Sequence, residues 1–362
     1  MKINFIIDEN NNDSVTDANI MNFMFKKLKS ITHIKQVNIN NFKCEKASIN
    51  IFFGIINNLL LDYAKFNILI PNQHIFKKEW LQFLDLFDMV IAKTTYIENI
   101  YKSFISSDKL NYIGWRSTDI SNNIDKDFNE FLLFCYDNTK TNYKKIIENW
   151  EPDFPNLNIL NGYLINFDTI ETKKTQDNIK FHKSTKQNDI ENLFNSCGVH
   201  LCLNEIDSFS HNINQCCLSK SVPVLIDNGS MKSTINSDIA FMISSKKKKS
   251  NLFLGSKYVF DIDSFKKKIK EIQKTSTTTL EIMGKNGRIH SIRNHGLNDV
   301  AFKEAFTKII KHVRDIPINK YKVIDIGNQG NQGNMNTVPK ISIVTLTHNR
   351  KHMFKLAIYN FN

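Results

Sequence analysis

The side chains best placed for chemistry lie between Leu203 and Asp227, a stretch that reads Leu203-Asn-Glu205-Ile-Asp207-Ser208-Phe209-Ser210-His211-Asn-Ile-Asn-Gln215-Cys-Cys-Leu-Ser-Lys-Ser-Val-Pro223-Val-Leu-Ile-Asp227. Its apolar pattern predicts a strand over Val199 to Leu203, a loop, a helix over His211 to Ser219 and a second strand over Val222 to Ile226. A loop at the carboxyl end of a parallel strand is where open α/β sheets take their ligands. The first turn of the helix brings unpaired backbone N–H groups and the positive end of a dipole, which suit a diphosphate. Asp207 stands in the loop and Gln215 about a turn into the helix, so a carboxylate and an amide can edge one crevice.

The elements that must hold this crevice come in two runs. In the first, strands over Ile3 to Ile7, Ile49 to Phe53, Phe66 to Ile70, Met89 to Ala92 and Tyr112 to Trp115 alternate with helices over Val15 to Leu28, Phe76 to Phe87 and Thr95 to Ile105. Ile20, Met24 and Leu28 recur at helical spacing. The polar stretch Ser117 to Asn129 reads as a linker. The pattern then restarts with strands over Phe131 to Tyr136, Leu157 to Leu160 and Ile179 to His182, and helices over Lys140 to Trp150 and Asp189 to Cys197. Strands alternating with helices imply a parallel sheet covered on both faces. A last amphipathic helix is expected over Asp299 to Val313.

The segment resembles the donor site of GT4-like retaining glycosyltransferases, enzymes of the GT-B fold. Asp207 stands where that family has its first Glu, Ser208 and Ser210 at two glycines, Phe209 at the Phe between them and His211 at the residue that follows. Gln215 takes the place of the second Glu and Cys216 that of an Ala, while Pro223 to Ile226 match the next strand. Phe131 to Tyr143 is similar to the strand opening the family's second lobe, with Lys140 at the phosphate-contacting Lys. Asn67 to Asn72 and Tyr112 to Ser117 resemble strand ends of its first lobe. The likeness covers about residues 1–315 and is strongest over 131–227. It implies an α/β GT-B fold, two Rossmann-like doubly wound domains facing a cleft. The expected divisions are an acceptor domain over 1–120, a donor domain over 130–300 and a C-terminal helix with a return segment over 300–326.

On the same resemblance, the activity is transfer of a sugar from a nucleotide-diphosphate donor, UDP- or GDP-linked, to a hydroxyl of a glycan, protein or lipid acceptor, with retention and without a metal. Asp207 and His211 become the catalytic candidates. Lys140, Glu205, Ser208, Phe209, Ser210 and Gln215 become the donor-binding ones, with Arg116 a further cation for the leaving phosphate. Read without the resemblance, Asp207 is a helix cap, His211 and Gln215 are surface residues of a helix, and Lys140 faces solvent. The sequence departs from the family where both Glu positions are Asp207 and Gln215 and both glycines are serines, which removes room for a close backbone approach. A second reading follows from these changes, a catalytically degenerate GT-B module that scaffolds another transferase domain.

Composition narrows the classes. Of 362 residues, 41% are hydrophobic and 23% charged, with 27 Phe, a globular balance with ample core. The net charge of +12 admits nucleic acid as a partner, but its densest runs, Lys246 to Lys249 and Lys266 to Lys268, lack interleaved aromatics. They read as solvated surface, and no nucleic acid is expected. No G-x-G-x-x-G opens either lobe, which disfavours a hydride-transferring enzyme. Six cysteines without a C-x-x-C pair point to core packing in a reducing compartment. The expected setting is cytoplasmic, or a host cytoplasm or virion should the AT-rich residue usage be viral. No cofactor or metal and no transmembrane segment are expected. Asp261-Ile-Asp263 precedes a helical run, so Asp263 is expected as its N-cap rather than as a metal ligand. A Gly/Asn/Gln linker over 327–340 precedes Ile341 to Arg350, which resembles the opening strand of GT2-like, GT-A transferases. Residues 341–362 thus read as the start of a second domain.

Overall fold

The computed structural model describes residues 1–28, 33–39, 44–135, 143–161, 176–183, 186–251 and 253–316. Lys140, the Gly/Asn/Gln linker and the expected start of a second domain lie outside the described residues.

The first sheet holds β1 (Lys2–Ile7), β2 (His33–Asn38), β3 (Ala47–Phe53), β4 (Ala64–Ile70), β5 (Met89–Ala92) and β6 (Leu110–Tyr112), all parallel, in the order β2-β1-β3-β4-β5-β6. Ile49, Ile51 and Phe53 stand opposite Phe66, Ile68 and Ile70, so neighbouring strands send β-branched and aromatic side chains to the same face. Near-continuous apolar strands of this kind are what a sheet covered on both sides requires. One side is covered by α1 (Asn12–Phe25), whose N-cap Asn11 accepts from the Ser14 N–H. The expected helix over Phe76 to Phe87 is instead a 3-10 segment, Lys78–Leu86.

The second sheet holds β7 (Asp127–Cys135), β8 (Asn156–Asn161), β9 (Ile179–His182), β10 (Cys197–Cys202), β11 (Val222–Ile226) and β12 (Phe241–Ile243), again parallel, in the order β12-β11-β10-β7-β8-β9. Counted from β7, this is the 3-2-1-4-5-6 winding of dinucleotide-binding folds. Between the strands run α3 (Tyr143–Glu148), α4 (Gln187–Ser196), α5 (His211–Leu218) and α6 (Gly229–Lys232). The strand order reverses between β1 and β3 in the first sheet and between β7 and β10 in the second. Each reversal opens a crevice beyond the carboxyl ends of those strands. Two pieces escape the expected pattern. Lys246 to Lys249 are exposed, as expected of solvated surface, but lie on an unexpected strand, β13 (Ser245–Lys249), in an antiparallel hairpin with β14 (Ser256–Phe260). The helix after it, α7 (Ile262–Lys274), takes Asp261 rather than Asp263 as its N-cap, through a bond from the Ser264 N–H.

The final helix, α8 (Thr277–Asp315), is 39 residues long and runs through residue 300 without a break. Its first half packs on the second lobe through glycines. A Cβ on Gly284 would stand 2.1 Å from the Lys220 carbonyl oxygen, and one on Gly287 3.4 Å from the Cys217 sulfur. Its second half packs on the first lobe through Phe302 and Phe306, whose rings meet Phe25 at 5.1 and 4.7 Å. One rigid rod therefore ties both lobes together. No helix among the described residues is long and apolar enough to cross a membrane.

His200 sits in β10, at the centre of the second sheet, 2% exposed. Its ring Nε2 lies 3.2 Å from the Cys197 carbonyl. Burial, and then the Lys126 charge, push its pKa down to about 3. The folded chain therefore holds it neutral, whereas the unfolded chain takes up a proton near pH 6.5. Stability from this group is complete above that pH and is lost as pH falls toward the folded value. Between pH 7 and 5 the loss should be about 1–2 kcal/mol, at roughly 1.4 kcal/mol per pH unit once the slope develops. Urea unfolding of the wild type and His200→Gln at the two pH values checks this. An equal loss in both proteins would place the sensitivity elsewhere.

Candidate functional site

The loop after β10 is buried along its whole length, from Leu203 to Ser210. Asp207 turns into the loop, where its carboxylate accepts the Asn204 amide at 2.6 Å and the Phe209 N–H at 3.2 Å. It caps this turn and not the helix, whose N-cap is Ser210. The Glu205 carbonyl accepts from Tyr258 N–H at 2.8 Å, and one carboxylate oxygen pairs with Lys257 at 2.7 Å. The other oxygen, Oε1, is buried and has no hydrogen-bond partner among the described residues. Ser210 makes no side-chain capping bond, and its hydroxyl is likewise buried and without a partner among the described residues. The amino end of α5 thus lies at the carboxyl edge of the second sheet without a capping bond from the Ser210 side chain.

Across from this loop stand residues that each follow a strand of the first sheet. Thr94, after β5, donates its hydroxyl to the Ser208 carbonyl at 3.1 Å. The Gln73 N–H, after β4, donates to the Ser208 hydroxyl. Phe209 packs into the first lobe's core with Trp115 and Phe302. His211 bridges the seam, with Nε2 3.1 Å from Asp17 of α1 and Nδ1 3.0 Å from the Ser117 hydroxyl beyond β6. Asp17 is fully buried and also meets the Lys93 ammonium at 2.7 Å and the Asn72 amide at 3.3 Å. Burial pushes its carboxyl up, but the Lys93 charge and the His211 bond outweigh this and hold it below the usual carboxylate range. Gly229, at the start of α6, gives Tyr96 of α2 (Thr95–Tyr101) its place, since a Cβ there would stand 2.4 Å from the Tyr96 ring. The carboxyl edges of the two sheets therefore face each other across one closed seam.

The structure brings Ser208, Phe209, Ser210 and His211 together at this seam, with Glu205 and Asp207 just behind. Gln215 lies a turn further along α5 and is partly exposed. Arg116 does not face the loop. It pairs with Asp299 at 2.7 Å and lies over the Phe23 ring, so it secures α8. The sequence reading missed Asp17 and Lys93. Asp17 precedes Ile20 and Met24 by three and seven residues, so a charge on the apolar face of a helix was the signal for it. Lys93, the first residue after a parallel strand, was open to the same reasoning as the loop after β10. Among the described residues no three His, Cys, Asp or Glu side chains gather as a metal site.

A buried charge left without its partner is costly, about 3–5 kcal/mol for a broken buried pair. Asp17→Ala should lower unfolding stability by roughly that amount, and His211→Ala by less. Residues in direct contact are coupled by about 0.5–3 kcal/mol, so a double-mutant cycle in urea should find the two losses non-additive. Strictly additive losses would mean that the bridge across the seam carries no energy of its own.

No family model matches the chain, and no curated protein does. Solved structures do. A glycosyltransferase from Rickettsia africae is 12% identical, with a TM-score of 0.64, over 87% of this chain and 99% of its own. HepE from Anabaena, in complex with UDP and glucose, is 10% identical, with a TM-score of 0.62, over 85% and 100%. Sucrose-phosphate synthase from Thermosynechococcus elongatus is 10% identical, with a TM-score of 0.57, over 73% and 74%. With two doubly wound parallel sheets set carboxyl edge to carboxyl edge, and with these likenesses, the chain has the GT-B fold of those glycosyltransferases.

Proposed function

We propose that the chain is a glycosyltransferase that moves a sugar from a nucleotide-diphosphate donor, UDP- or GDP-linked, to an acceptor hydroxyl, in the retaining and metal-independent manner of the GT4-like enzymes. The observation that carries this reading is the amino end of α5. It follows β10 at the reversal point of the second sheet, faces the first lobe, and holds a buried Ser210 hydroxyl with no partner among the described residues. A departing diphosphate gains negative charge as the sugar–oxygen bond breaks. Helix N–H groups, with Lys140, which follows β7 in the sequence, supply the fixed positive field that such a transition state needs. The loop backbone and Ser208 line the path of the sugar. Glu205 brings a buried carboxylate oxygen free to accept a sugar hydroxyl, and Asp207 holds the turn that presents the loop. Gln215 reaches the ribose. Phe209 and His211 register the lobes, and the His211 Nδ1, now on Ser117, is the nitrogen that turns to substrate when the seam admits it. UDP is the favoured nucleotide, because HepE, which shares the fold, holds UDP and glucose in its crystal.

Calorimetry with UDP, GDP and their sugars tests the reading. A nucleoside diphosphate should bind, and Lys140→Ala should weaken it about ten- to a hundred-fold, as expected for loss of a charge-assisted hydrogen bond of roughly 1.5–3 kcal/mol. Gln215→Glu should tighten it about five-fold, because a carboxylate accepts a ribose hydroxyl more strongly than an amide does, by roughly 1 kcal/mol. No binding of any nucleoside diphosphate or nucleotide sugar would overturn the proposal.

A further inference from the structure

The strand order of the first sheet reverses between β1 and β3. There a cavity of about 980 Å³ opens beside Asp8 and Asn11, which follow β1, and Ile55, which follows β3. The second lobe forms its opposite wall. Lys77 lines the cavity from the first lobe, and Lys248, Lys249 and Lys257 from the β13–β14 hairpin. Asp8 is the acidic residue among its lining, and its carboxylate accepts the Asn10 N–H at 3.0 Å. Lys257 is neutralised by Glu205 and Lys77 lies 3.7 Å from Glu79. Lys248 and Lys249 have no acidic partner among the described residues.

The hairpin is held over the cavity by bonds to the first lobe. Lys78 donates to the Ser250 carbonyl at 2.6 Å, and Lys77 forms an antiparallel bridge with Phe253. Lys248 and Lys249 both line the cavity without an acidic partner among the described residues, so an anion held there gains their attraction without displacing a carboxylate. The rest of the wall is apolar, with Trp80, Ile206 and Phe253 among it, a surface on which the face of a sugar ring can lie. Ile206 belongs to the loop after β10, so this cavity adjoins the site already described.

We infer that the cavity takes the acceptor, and that the acceptor is an anionic saccharide, one carrying a phosphate or a carboxylate that Lys248 and Lys249 bind. This rests on the glycosyl-transfer reading for the word acceptor, but the anion site stands on the cavity itself.

The test uses the full chain and three probes: glucose 6-phosphate, glucuronate and neutral glucose, with UDP measured in parallel. Trp80 lines the cavity while Trp115 and Trp150 are buried in the cores, so tryptophan emission reports occupancy. Glucose 6-phosphate, glucuronate or both should change the emission where glucose does not, and the stronger of the two identifies the anionic group. Lys248 and Lys249 are exposed, so K248Q/K249Q leaves the fold intact. It should weaken the anionic sugar about ten-fold, the loss of roughly one charge-assisted bond, and leave UDP affinity unchanged. Equal binding of charged and neutral sugars would overturn the inference. So would a matching loss of UDP affinity in the variant, since the lysines would then serve the donor. Should the wild type bind the anionic sugars but no nucleotide or nucleotide sugar, the glycosyl-transfer reading falls and the anion site remains.

Discussion

Asp17 carries a charge where no water reaches it. Such a group is tolerated only when opposite charge and hydrogen bonds surround it, and here they come from three places in the chain. Lys93 arrives from the end of β5, Asn72 from the end of β4 and His211 from the second lobe. The first two are brought by the parallel sheet alone. The third is brought only if α5 meets α1 end to side, which sets the carboxyl edge of one sheet against that of the other. The angle and register of the two lobes are thus coupled to the satisfaction of one carboxylate, and the loop from Asn204 to Ser210 is enclosed as a consequence.

The second restraint on the same geometry is α8. A helix of 39 residues is a stiff rod of about 58 Å at 1.5 Å per residue, and its two halves use opposite means of packing. Toward the second lobe it presents glycines, so that its backbone lies on the Lys220 backbone and on the Cys217 side chain. Toward the first it presents aromatic rings that interlock edge to face with Phe25. Between these halves Arg116 and Lys27 share Asp299, and Asn298 donates to the Ile113 carbonyl at 2.9 Å. The two lobes are therefore held in register by one helix that is anchored on each of them.

The sheets were legible because their strands are apolar on both faces. Val222 to Ile226 and Met89 to Ala92 match their expected limits residue for residue. The failures share a cause, in that polar or small residues did structural work that hydrophobic periodicity does not register. The first half of α8 was missed because Gly284, Gly287, Ser291 and His295 occupy its buried face. β13 was missed because its lysines point mostly to solvent on an edge hairpin, where charge is a normal way to blunt an exposed strand. β2 was missed because only Val37 is buried among its side chains. At the site, the loop and its helix were legible from the strand-loop-helix pattern, whereas the first-lobe half was not. No local spacing says that residues 17, 72, 93 and 117 meet, since that meeting is a property of sheet order and of lobe docking.

The serines in place of glycines at positions 208 and 210 take on a different sense in this geometry. A glycine is needed where backbone must come close to a ligand, and a hydroxymethyl group there takes up room. Ser208 spends its hydroxyl on the Gln73 N–H of the other lobe, which leaves its backbone carbonyl for Thr94 and makes the loop part of the seam. Ser210 makes no such contact, and its hydroxyl sits buried at the head of α5. The two substitutions therefore differ in effect. Ser208 ties the loop to the first lobe, and Ser210 adds a hydroxyl to a helix end already rich in N–H groups. A loop built in this way is tied to the first lobe through a side chain, a bond that a glycine at position 208 has no hydroxyl to make.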